Sequence, residues 1–157
     1  MKVMPTLEGG LRIDAEEASD WELLCLIVED AAGCDVDLAS RLGGLIGEDA
    51  GGADWEDYVV PDLREEFQDQ VAQIGAAVEA ATFHAQGGLG HIWITREDAA
   101  AWYSALNQAR LALEERFRFG PDETGMVRGM EPECQAAYIR SRFYCEIQSL
   151  MLEYVMK

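Results

Sequence analysis

The segment "IDAEEASDW", Ile13 to Trp21, returns eighty-one residues later as "ITREDAAAW", Ile94 to Trp102. In both places a short β-branched run ends at a residue able to cap a helix, Asp14 or Thr95. An acidic residue, Glu17 or Asp98, follows three positions on. That spacing predicts a capping box, with acidic groups at the positive end of the helix dipole. Ala18 and Ala99 then permit close packing, and Trp21 and Trp102 follow at the same offset. The apolar residues beyond them recur at helical spacing: Leu24, Cys25 and Val28 in one copy, Leu106, Ala109, Leu113 and Phe117 in the other. Capping and burial account for every feature the pair shares, so the repeat predicts a strand running into a helix twice over, and not a duplicated catalytic site.

The rest of the chain can be laid out around these two units. Residues 1–13 read as a β-hairpin around Glu8-Gly9-Gly10, with Pro5 confining the first strand to a sheet edge. A helix is expected over 14–32 and an acidic, Gly-rich loop region over 33–60, with one short helix near Leu38 to Leu45. A long helix spans 61–86, opened by Pro61 and stopped by Gly87 and Gly88, with Leu63, Phe67, Val71, Ile74, Val78 and Ala81 as its apolar stripe. A strand over 90–95 and a helix over 96–118 follow. Residues 119–132 read as a loop, and a last helix over 133–156 has Ile139, Phe143, Ile147, Leu150 and Tyr154 on one side. The expected fold is a single α+β domain, mainly helical, with about four main helices and a small two- or three-stranded antiparallel sheet.

The net charge of −18 narrows the partners. Residues 1–95 hold four basic and twenty acidic side chains, whereas 96–157 are nearly balanced. Nucleic-acid affinity comes largely from Lys and Arg displacing counterions, so DNA, RNA and anionic lipid are poor partners. The acidity reads first as a solubility device and otherwise as a docking face for a basic or mixed-charge protein partner. No apolar run reaches the length of a membrane span. The four cysteines, Cys25, Cys34, Cys134 and Cys145, form no C-x-x-C pair, and Cys25 and Cys145 fall in apolar helical patterns. Reduced thiols and a cytoplasmic location are expected.

Candidate functional residues are few. Asn107, Arg110 and Glu114 form one strip beside the Trp102 and Leu106 stripe, and Glu66 on the preceding helix is placed to reach Arg110. This set reads first as a network fixing helix register, and otherwise as a receptor for an anionic ligand group or a partner's carboxylate. In "GEDAGGADWEDYVVP", Trp55 and Tyr58 stand among acids, the composition of a binding patch if the rings are exposed. The acids there, Glu48, Asp49, Asp54, Glu56 and Asp57, lack the calcium-loop pattern. His84 and His91 are weak metal candidates with no third ligand evident. "GGLG" precedes a strand, whereas phosphate loops follow one. No cofactor is implied and no catalytic set emerges, so enzymatic activity is left open.

The helix "AAAWYSALNQARLALEERF" resembles the signature helix of an uncharacterised bacterial family best represented in actinobacteria, through Trp102, Ala105, Leu106, Asn107, Arg110, Leu111 and Leu113. Gln108 stands where that family commonly has aspartate. Glu66 and Phe67 resemble its Glu-Phe-Arg segment, with Gln68 replacing the arginine, and Tyr144, Gln148 and Leu150 resemble its closing stretch. The resemblance runs from Leu11 onward. It implies no established enzyme activity, and because genes of that family often lie beside the adaptor of the Clp protease, it implies a link to proteolysis or its control. The expectation is therefore a non-enzymatic cytosolic interaction or regulatory module with an acidic surface. The alternative is a small-ligand-binding protein or enzyme with a site around Arg110, Asn107 and Glu66. The C-terminal "SLMLEYVMK", apolar on more than one side, leaves homo-oligomer formation open.

Overall fold

The computed structural model describes residues 1–33, 37–46, 54–119 and 130–157. Cys34, Glu48, Asp49 and most of the 119–132 segment lie outside them. The hairpin forms as β1 (Lys2–Pro5) and β2 (Leu11–Ala15), closed where the Thr6 N–H meets the Gly10 carbonyl at 2.9 Å. Gly9 turns the chain with φ +82, a region that favours glycine. α1 (Ala18–Ala32) and α2 (Leu38–Ile46) follow. A π-helical turn at Trp55–Val59 then leads into α3 (Val60–Ala85), β3 (Gly90–Ile94), α4 (Ala99–Phe117) and α5 (Pro132–Tyr154). The architecture is α+β and mainly helical, with five α-helices beside one three-stranded antiparallel sheet in the order β1-β2-β3 among the described residues. β1, with its proline, is an edge strand.

The repeated segment sets the geometry of the frame. β2 and β3 pair antiparallel, Ile13 opposite Ile92 and Leu11 opposite Ile94. Advancing Ile13 by the repeat offset gives Ile94, and moving Ile92 back by it gives Leu11, so the ladder maps onto itself. The two strands are thus related by an approximate twofold rotation, and the helices that follow them, α1 and α4, pack against each other. Leu11, Ile13, Ile92 and Ile94 point inward and are buried with Trp21 and Trp102. α4 is the central helix. Its alanines at 99, 101, 105, 109 and 112 are buried alongside Trp102, Leu106 and Leu113, which lets α1, α3 and α5 approach it from different sides.

Both helices begin at the equivalent position of the repeat, Ala18 and Ala99, but the side-chain bonds that precede them differ. At the second, the Thr95 hydroxyl lies 3.4 Å from the Asp98 N–H and donates to the Asp98 carboxylate at 2.7 Å. The Thr95 N–H reaches the same oxygen at 3.3 Å, so the expected reciprocal bonds form, but they span the turn before α4, which begins at Ala99 without a side-chain cap. At the first, Asp14 is not a cap. Its backbone is held in β2 between Lys2 and His91, and its carboxylate is bound by Arg12 at 2.6 Å. The helix begins at Ala18, and Asp20 instead accepts the Glu16 N–H at 2.7 Å. A third strand on β2 is the physical reason, since it draws Asp14 into the sheet.

Two apolar stripes are also corrected. Cys25 is exposed, because α1 turns Leu24 and Ile27 inward. On α5, Ile139 and Tyr154 are exposed and the buried face is Ala137, Tyr144, Ile147, Gln148 and Met151. Ile147 is in the expected stripe, and Phe143 and Leu150 pack against the core, but the face also includes a phenol and an amide whose polar atoms have partners, which apolarity alone does not find.

Candidate functional site

Three polar constellations sit on this frame. The first ties α1 to α5. The Arg140 guanidinium donates twice to the Asp30 carboxylate, at 2.7 and 3.0 Å, and the Tyr144 hydroxyl donates to the same carboxylate at 2.8 Å. Arg140 and Tyr144 stand one turn apart on the same face of α5. Burial first, and the Asp30 charge second, push the Tyr144 phenol up, so it stays the neutral donor. The hydrogen bond to Asp30 raises Arg140 in turn.

The second contains Arg110. Its Nη1 donates to Gln148 Oε1 at 2.7 Å, and Gln148 Nε2 donates to the Tyr103 carbonyl at 3.0 Å. Arg110 Nε is buried with no partner among the described residues. This joins α4 to α5 and fixes their register. Glu66 is not part of it, being exposed on α3 and accepting from Gln70 at 3.0 Å. Asn107 is half-buried and Glu114 exposed on α4. The proposed set of Glu66, Asn107, Arg110 and Glu114 is therefore not gathered around one space, because α5 and not α3 supplies the group facing Arg110.

The third constellation surrounds a cleft of about 440 Å³ between the end of α1, α2, the first half of α3, and α4. Val28, Leu38, Phe67, Val71 and Leu111 give it apolar walls, and Gln108 stands in its lining, buried, with its amide donating to the Phe67 carbonyl at 3.3 Å. Arg41 and Arg64 stand at the mouth. Of the four basic side chains in residues 1–95, two are therefore at this one opening. Arg41 pairs with Glu115 at 3.0 Å, and Arg64 pairs with Asp37 at 3.3 Å while donating to the Ser40 hydroxyl at 2.9 Å. Such exposed pairs contribute at most about 1 kcal/mol, so an arriving carboxylate can replace Glu115 or Asp37 at small cost.

Asp37 also caps α2, accepting from the Ser40 N–H at 3.0 Å and the Ser40 hydroxyl at 2.8 Å. Burial pulls its carboxyl upward, but the Ser40 bonds and the Arg64 charge more than offset this and hold it below the usual aspartate value. A carboxyl lowered on folding contributes stability above its unfolded pKa and loses it as the pH falls through the folded one. The seating of α2 should therefore weaken below about pH 4. Amide exchange at Ser40, corrected for its intrinsic pH dependence, is expected to accelerate there, and Asp37→Asn should flatten that response.

Trp55 and Tyr58 do not form an exposed pair. Trp55 is half-buried, with its ring edge against the open face of Gly43 on α2 and its Nε1 unpartnered among the described residues, whereas Tyr58 is exposed. His84 and His91 are both exposed and line a separate groove between α3 and β3. No three His, Cys, Asp or Glu side chains are grouped to hold a metal among the described residues. The sequence reading missed Asp30, Arg140, Arg41, Arg64 and Asp37. The one available signal was the turn spacing of Arg140 and Tyr144.

Among comparisons with known proteins, the family described as Domain of unknown function (DUF2017) matches residues 38–154. No curated protein and no solved structure matches.

Proposed function

We propose, for a chain that belongs to the DUF2017 family, a domain of unknown function, that it is a non-enzymatic protein-interaction module of the bacterial cytoplasm with a regulatory role in proteolysis. The observation that carries this reading is the cleft between α1, α2, α3 and α4. Its apolar walls and its few polar side chains are the composition of a pocket that takes an anchor. The described lining contains no Ser, Cys or His, so what it offers is shape and charge. The mouth carries both signs, Arg41 and Arg64 against Glu115 and Asp37. A mixed-charge partner, presenting an apolar side chain next to a carboxylate, fits it. The acidic surface expected of residues 1–95 would steer such a partner's basic groups. No helix is long and apolar enough to cross a membrane among the described residues.

Ala72 lines the cleft and is exposed, so Ala72→Trp fills the space at little cost to folding. Wild-type protein purified from its native cytosol at low salt is expected to retain a partner that high salt releases. Ala72→Trp should lose it with an unchanged melting temperature. Retention by the filled variant would sink the reading. The competing small-ligand reading predicts instead a metabolite that raises the melting temperature of wild type alone.

A further inference from the structure

Among the described residues, the approximate twofold leaves one position without an occupant. β1 lies beside β2 through Val3 opposite Ile13 and Met4 opposite Arg12. The same rotation that exchanges β2 with β3 places an equivalent strand beside β3, where the described residues supply none. We propose that this outer edge of β3 is a strand-addition site for an extended segment of a protein partner in which apolar and basic residues alternate.

Among the described residues, no strand or other main-chain bond reaches the outward groups there. The bond from the Thr6 N–H to the Gly10 carbonyl fixes the alternation along the hairpin. By that alternation Arg12 and Asp14 turn their main-chain groups to β1, while Leu11 and Ile13 turn theirs to β3. On β3, Ile92 and Ile94 therefore answer β2, and the N–H and carbonyl groups of His91 and Trp93 face away from the sheet. The other edge is blunted, since β1 carries Pro5, which has no N–H, and Lys2. β3 carries neither.

The space beside β3 has the form a strand needs. A groove of about 560 Å³ runs between β3 and the second half of α3, where Ala77, Ala81 and Ala85 leave room that larger side chains would close. Leu89 and Trp93 line it and stand exposed at 79 and 49%. Unpaired edge groups and exposed apolar side chains together are what an added strand covers. Charge selects the occupant. A second copy would bring another chain of net charge −18 to the same edge, which repels. A basic segment is attracted, and its cations can use the Trp93 ring as Arg12 already does at 5.3 Å. The groove shares no described lining residue with the cleft, so the two surfaces stand or fall separately.

The test uses fluorescein-labelled peptides of five Val-Lys or five Val-Glu repeats with the full chain. His91→Pro removes an outward N–H without touching the bonds to β2, and His91→Ala keeps that N–H. The Val-Lys peptide is expected to bind wild type and His91→Ala, to bind His91→Pro about tenfold or more weakly, and to slow amide exchange at His91 and Trp93 in wild type. The Val-Glu peptide should not bind. Equal binding by the proline and alanine variants, no binding of the Val-Lys peptide, or unchanged exchange at those two amides overturns the proposal. A concentration-dependent dimer that protects the same amides without peptide overturns it too, in favour of a second copy. The exchange measurement decides the matter even if the proline variant fails to fold.

Discussion

Asp30→Ala is expected to destabilise the fold by about 3–5 kcal/mol, because it leaves the Arg140 guanidinium inside the protein without its carboxylate. The side chains of Asp30 and Arg140 are 9 and 18% exposed, so water compensates little. The two bonds from the guanidinium and one from Tyr144 converge on a single carboxylate, and the substitution orphans all three at once. Tyr144→Phe removes only one donor to a charged acceptor and should cost about 2 kcal/mol. The double variant Asp30→Leu, Arg140→Leu should recover much of the single variant's loss, since it removes both charges and fills the space they leave. Urea unfolding with a common slope gives all three values. A loss below about 1 kcal/mol for Asp30→Ala would mean that the pair is solvated and does not lock α1 to α5.

Trp21→Ala and Trp102→Ala should each cost about 3–5 kcal/mol, the range for a large aromatic removed from a packed core. Both rings are buried, at 2 and 1% exposure, and they stand at equivalent positions of the repeated segment. Their surroundings differ in one respect. Trp21 Nε1 donates to the Gly88 carbonyl at 2.8 Å, and its ring fills the space beside Gly90, where an added Cβ would meet it at 2.8 Å. Trp21 therefore also braces the entry to β3. Trp21→Phe should lose the bond and loosen β3, measured as faster amide exchange at Ile92 and Ile94, while Trp102 variants should destabilise the molecule as a whole. If either alanine variant kept wild-type stability in urea, the repeated segment would not be the architectural unit described above.

Much of the frame was legible in the sequence because it depends on local chemistry. Proline at the start of α3, glycines in the hairpin, the Thr95 and Asp98 box and the tryptophan spacing each act over a few residues. Asp14 misled because its role depends on β1, a neighbour that the capping pattern does not include. The buried face of α5 misled for a related reason, since Tyr144 and Gln148 are buried only where Asp30, Arg110 and the Tyr103 carbonyl come to meet them. Arg110 could be recognised as a register-fixing residue from its helix alone, yet its partner, Gln148, came from a helix whose packing no periodicity reveals. The cleft was the least legible feature. Its lining comes from four helices, and Arg41 and Arg64 look like isolated surface charges until α2 folds over α3.

On the proposed function, this cleft receives the partner's anchor. Methyl NMR of Leu38, Val71 and Leu111, recorded with and without the co-purified partner, tests it most directly. The cleft account predicts that the largest shifts fall on these three residues and disappear in Ala72→Trp. Binding that left all three unmoved, with changes confined to other surfaces, would contradict it.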